Sequence, residues 1–151
     1  MSDSKIIPNF KTALMTKFTA VDGVGSHNTF YTAIQGRLYE GRAQGTDYPY
    51  SVYEIIDQTP DKTFSDDYRN LLIQFSHYSD DRYDSSECDL INAYCNDLFD
   101  ECAAFSITGA TLLWMRLTTS PGAKPEMDTK PDGTESGWVA FTDFEADVKM
   151  T

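Results

Sequence analysis

The stretch 84–105, DSSECDLINAYCNDLFDECAAF, constrains the fold more than any other part of the chain. Cys88, Ile91, Cys95, Leu98, Cys102 and Phe105 fall at alternating steps of three and four, the period of one helix face. Leu90, Tyr94 and Phe99 widen that stripe, while Asp89, Asn92, Asn96, Asp97, Asp100 and Glu101 hold much of the other side. Asp84 can cap the first turn, and Glu87, three residues on, can complete a capping box. The spacing predicts a helix over 84–105. A helix with one wet face must lie on an apolar surface, and the rest of the chain has to supply it.

That surface is written as strands. In 67–79, Leu71, Ile73, Phe75 and His77 alternate with Asn70, Leu72, Gln74 and Ser76. In 136–150, Ala140, Thr142, Phe144, Ala146 and Val148 alternate with Phe141, Asp143, Glu145, Asp147 and Lys149, which suits an antiparallel sheet with one covered face. Shorter strands are expected at 36–40 and 50–56, and a mostly apolar, central one at 111–119. Residues 57–66, with Pro60, read as a polar connection. Ile6, Phe10, Ala13, Leu14 and Phe18 predict a first helix over 5–19, with Pro8 tolerable in its first turn. DGVGS at 22–26 ends it, and a short helical piece fits 29–35. Residues 120–135 hold three prolines and two glycines and read as a long mobile loop. The expectation is an α+β fold, mainly an antiparallel sheet, in a single domain spanning 1–151.

Length and composition narrow the function classes. A chain of 151 residues is expected to bury roughly 68–70% of its unfolded surface, enough for a core without staples. No apolar run is long enough for a membrane-spanning helix, and the N-terminus lacks the apolar centre of a signal peptide, so folding in a cytosol is expected. A net charge of −12 argues against a phosphate-neutralising surface. Cys88, Cys95 and Cys102 are seven residues apart, about 10.5 Å along a helix axis, too far to bridge or to share a metal. They are expected to stay reduced in the core.

Catalytic and metal patterns are weak. The cluster Asp80, Asp81, Asp84, Glu87 and Asp89 lacks the glycine and the closing Glu of a calcium loop. His27 and His77 have no nucleophile or acid at motif spacing, although a pair could form in three dimensions. GRAQG at 41–45 lacks the ending of a phosphate loop. No cofactor, metal or catalytic group is expected.

The order of elements, together with Arg37-Leu38-Tyr39 leading into Gln44-Gly45-Thr46-Asp47-Tyr48-Pro49-Tyr50-Ser51-Val52-Tyr53, resembles the tail-completion, or tail-terminator, proteins of long-tailed bacteriophages. The strand 71–77, the helix 88–102 and Trp138–Glu145 sit where that family has its own. The resemblance runs from about Lys5 to Val148. It departs at Arg42-Ala43-Gln44-Gly45, where members often read Pro-Gln-Gly, and in the length of 120–135.

The resemblance implies a sheet with two helices on one face and a structural, non-enzymatic virion protein made in the host cytoplasm. Such proteins form a ring, commonly a hexamer, that closes the tail tube and meets head-completion proteins of the neck. DNA passes through without specific binding, and no membrane is involved. Candidate subunit or neck contacts are Arg42, Tyr48 and Tyr50, since Arg and Tyr are enriched at interface centres, with Lys124 and Lys130 in the long loop. Tyr50 also fits as ordinary core. Asp143, Glu145 and Asp147 project from one strand face and are candidate bore-lining residues; an ordinary solvated face is the other reading. A generic α+β binding module and a carboxylate-dependent hydrolase are the alternatives.

Overall fold

The computed structural model describes residues 5–45, 47–81, 84–101, 105–125 and 137–151. Along the chain run α1 (Ile6–Thr19), α2 (Thr29–Ala33), β1 (Leu38–Glu40), β2 (Tyr50–Lys62), β3 (Asp67–Ser79), α3 (Ser86–Phe99), β4 (Ala110–Thr119), β5 (Lys124–Pro125) and β6 (Trp138–Met150). The six strands form one sheet in the order β1-β2-β3-β6-β4, and β5 extends the β4 side by pairing with β6. All pairings are antiparallel except β1 with β2. The α+β expectation therefore holds.

The alternation in β3 and β6 becomes the two faces of the sheet. Leu71, Ile73, Phe75 and His77 lie opposite Ala146, Phe144, Thr142 and Ala140, and all eight are buried. The helices pack on this side, α1 through Phe10, Leu14 and Phe18, α2 through Phe30, and α3 through Ile91, Cys95 and Phe99. Phe75 is the hub: its ring stacks on Phe99 at 5.3 Å and meets Phe144 edge-on at 5.7 Å and Phe30 at 6.3 Å. Each such pair adds about 0.5–1.5 kcal/mol beyond area burial.

Four local expectations need correction. First, β2 does not stop at Ile56 but continues to Lys62 through Pro60. The register slips between Ile55 and Asp57, and β1 pairs only with Ser51–Tyr53, so Pro60 lies on an open edge where its missing N–H costs nothing. Second, α3 is shorter than its periodicity. Asp100 turns extended, its Oδ1 accepting from the Leu117 N–H at 2.8 Å, and Glu101 has φ 53°. Phe105 still reaches the core beyond the helix, edge-on to Phe10 at 5.6 Å. Third, the capping box does not form. Asp84 accepts from the Ser86 N–H, but Glu87 turns away to accept the Ser79 hydroxyl at 2.7 Å. Fourth, β4 is an edge strand, because β6 inserts between it and β3.

Cys88 and Cys95 are buried, and the Cys88 thiol donates to His77 O at 3.3 Å; Cys102 lies outside the described residues. The first six residues of the 120–135 stretch are tied down. The Ser120 hydroxyl accepts from Asn92, the Ala123 N–H donates to Asp89, and Lys124–Pro125 pairs with β6.

Candidate functional site

The sheet face turned away from the helices is where the candidate residues meet. Register places Tyr50, Tyr78, Val139 and Lys124 in one row across β2, β3, β6 and β5. Tyr78 stacks on Tyr50 at 4.8 Å with 20° between planes, and Tyr48 and Tyr39 lie 5.2 and 6.3 Å from Tyr50. Tyr50 is thus not core; it belongs to a half-buried tyrosine corner. Lys124 reaches over the Phe141 ring, 5.0 Å from its centre. Two candidates that are 74 residues apart thereby share one face, which strand register alone brings about.

Arg37 builds that corner. Its Nε donates to Pro49 O at 2.9 Å and its Nη2 to Tyr48 O at 2.7 Å, across a cis Tyr48–Pro49 bond. The guanidinium fork can satisfy two adjacent carbonyls at once. Arg42 is exposed, and among the described residues no hydrogen bond or ion pair holds its side chain. Lys130 lies outside the described residues.

Farther along the same face come the acids. Asp143 stands between Gln74 and Thr119, Glu145 between Leu72 and Arg116, and Asp147 between Asn70 and Trp114. The three are not equivalent. Glu145 pairs with Arg116 at 3.6 Å, whereas Asp143 and Asp147 have no cation within 4.0 Å among the described residues. One Asp143 oxygen is shielded from solvent without a partner. Lys149, next in the row, is drawn to Asp66 at 3.2 Å, and that hydrogen bond raises its pKa.

A polar line inside the core is the feature that sequence reasoning missed. Ser51 Oγ lies 2.7 Å from His77 Nδ1, and His77 Nε2 lies 3.0 Å from Thr142 Oγ1. Thr142 donates to Asn92, whose amide donates to Ser120. The line crosses β2, β3, β6 and α3. Burial pushes the His77 pKa down to about 3, so the ring is neutral. A serine beside a histidine suggests a nucleophile and base, but Ser51, His77 and Thr142 are each 0% exposed. No substrate carbonyl reaches Ser51, and a hydroxyl, not a carboxylate, orients the far nitrogen. The arrangement satisfies buried polar groups. Its only trace in the sequence is the polar identity of Thr142 and His77 at inward-facing positions.

A groove of about 580 Å³ opens between α1 and the 20–28 turn, lined by Ala13, Lys17, Val21, His27, Leu98 and Phe105 among others. Asp22 shapes the turn: its Oδ1 accepts from the N–H groups of Ser26 and Val24, which lowers its pKa. Among the described residues no group of three or more His, Cys, Asp or Glu could hold a metal ion.

No protein-family model matches the chain, and no curated protein matches it in sequence. Among solved structures, a chain of the virion of a native gene transfer agent particle has a similar backbone. Its TM-score is 0.76 at 11% identity, over 95% of this chain and 97% of that one. A second solved chain, 15% identical, has a TM-score of 0.47, too low to carry weight.

Proposed function

We propose that this protein is a structural subunit of a phage-like virion, assembled as a ring of six at the head-proximal end of the tail tube. There it ends tube growth and joins the tail to the neck. The observation that carries the proposal is the backbone likeness to a gene transfer agent virion chain over nearly the full length of both. It stands beside the resemblance of Arg37–Tyr39 and Gln44–Tyr53 to tail-terminator proteins.

A ring needs two different surfaces per subunit, because head-to-tail contacts close only in that way. In this reading the tyrosine corner with Arg42 and Lys124 contacts a neighbouring subunit or the neck, and Lys130 joins them. The tail-tube protein binds below and head-completion proteins above. Only the stretch of the bare sheet face around Asp143 and Asp147 turns to the bore, where the two carboxylates repel the phosphates of passing DNA.

Deletion of the gene tests the proposal. Particles lacking the protein should have tails of uncontrolled length that fail to join heads, and negative-stain images of complemented particles should show a ring at the head-proximal tip. Tails of normal length joined to heads without the protein would overturn it.

A further inference from the structure

Phe64 occupies the tip of the β2–β3 hairpin and is 112% exposed relative to its reference. The turn that carries it is fastened. The Thr63 N–H donates to Asp66 O at 2.8 Å, the Asp66 N–H donates to Thr63 Oγ1 at 3.1 Å, and Lys149 holds Asp66. A benzyl group in water gains burial energy on docking, and the fastened turn that carries it has little backbone freedom left to lose.

We propose that Phe64 is a knob that enters the groove between α1 and the 20–28 turn of a second copy of this chain. The contact rests on the ring reading for its closed symmetry. The groove has an apolar floor in Ala13, Leu98 and Phe105, with His27 in its lining. The His27 ring stacks on Tyr31 at 3.7 Å, and its Nδ1 is shielded from solvent without a partner among the described residues.

Charge selects the same partner. Residues 5–19 carry Lys5, Lys11 and Lys17 and no acid, in a chain of net charge −12. Lys11 pairs with Glu40, whereas Lys17 lines the groove with no carboxylate within 4.0 Å among the described residues; Asp22, at the other side of the lining, has its Oδ1 taken up by the N–H groups of Val24 and Ser26. The hairpin from 57 to 67 carries four aspartates against Lys62, and neither Asp57 nor Asp61 is paired with a cation among the described residues. Knob and groove are different surfaces of one chain, so the contact is heterologous and can repeat around a ring.

The test replaces Phe64 with the photoreactive analogue benzoylphenylalanine in a mixture of unlabelled and ¹⁵N-labelled protein, alone and in assembled particles. The expected result is mixed-isotope cross-links from position 64 to peptides covering 13–28. Phe64→Ala should weaken self-association about thirtyfold with no change in melting temperature. Lys17→Asp should weaken it too, and adding Asp61→Lys should restore it. Cross-links to other peptides, or only to other virion proteins, overturn the contact, as does Phe64→Ala assembling like the parent. Rings seen by microscopy without this cross-link overturn the contact and leave the ring standing. Absence of any ring, alone or in particles, defeats both.

Discussion

Ser51 Oγ lies 2.7 Å from His77 Nδ1 at the centre of the sheet, with both residues sealed from water. The folded His77 holds its proton only near pH 3, whereas an unfolded histidine takes one up below about 6.5. Unfolding therefore binds a proton throughout that window. The stability this lends is complete above pH 6.5 and is lost as pH falls toward 3, at about 1.4 kcal/mol per pH unit. Between pH 7.5 and 5 the parent should lose about 2 kcal/mol from this source, and His77→Gln should be free of that loss. Urea unfolding of both proteins across the range checks it; equal pH slopes would contradict a buried, neutral His77.

Thr142 bridges His77 and Asn92 with one hydroxyl. Thr142→Val keeps the shape and strands both partners, which should cost about 1–3 kcal/mol. Asn92→Leu should cost a similar amount, and the double variant less than the sum, since the groups share one line. Additive costs from thermal or urea unfolding would show that the line is not coupled.

Cys88 and Cys95 sit in the core on one face of α3, and burial raises the Cys95 thiol well above its ordinary pKa. Thiolate is the reactive form, so labelling should wait for opening of the fold. Aromatic disulfide reagents should modify these two thiols on the order of a thousandfold more slowly in native than in unfolded protein. A fast native reaction mapped to either residue by mass spectrometry would refute the burial.

Arg37 and Arg42 should separate folding from assembly. Arg37→Leu leaves the carbonyls of Tyr48 and Pro49 without their donors and should cost about 1–3 kcal/mol, with partial recovery in Arg37→Lys. Arg42 is exposed, so Arg42→Glu should stay within about 0.5 kcal/mol of the parent, and if Arg42 lies in the proposed ring contact it should lower assembly. Calorimetry and particle counts by microscopy read the two effects. Unchanged assembly would remove Arg42 from the contact.

Period-two alternation made β3 and β6 legible residue by residue, because each has one face on the core and one off it. The same logic found α1 and the inward face of α3. It failed where a single tertiary contact outweighed local pattern. Asp100 ends α3 for a hydrogen bond to β4, Glu87 leaves its cap for Ser79, and Pro60 is admitted to β2 because no strand lies beyond it. The placement of β4 at an edge follows from β6 returning between it and β3, which no local signal encodes. The row Tyr50–Tyr78–Val139–Lys124 and the Ser51–His77–Thr142 line need the same register, so sequence offered their residues but not their adjacency.

Asp143 and Asp147 offer the sharpest test of a bore-facing sheet. Changing all three acids would confuse folding with function, because Lys at 145 would face Arg116 across the β4–β6 pair and like charges there destabilise. Asp143→Lys with Asp147→Lys avoids this: their cross-strand neighbours Gln74, Thr119, Asn70 and Trp114 carry no charge. Both positions are partly buried, so urea unfolding of the double variant comes first, with the fold expected to hold. If the face lines the bore, each ring gains a band of ammonium groups where phosphate passes. Mutant rings should then retain duplex DNA with an affinity that falls steeply with salt, and virions should eject slowly at low ionic strength. Filter binding at several salt concentrations and timed ejection read the two effects. Mutant particles that assemble, hold no added DNA and eject at the parent rate would rule out a bore-facing sheet.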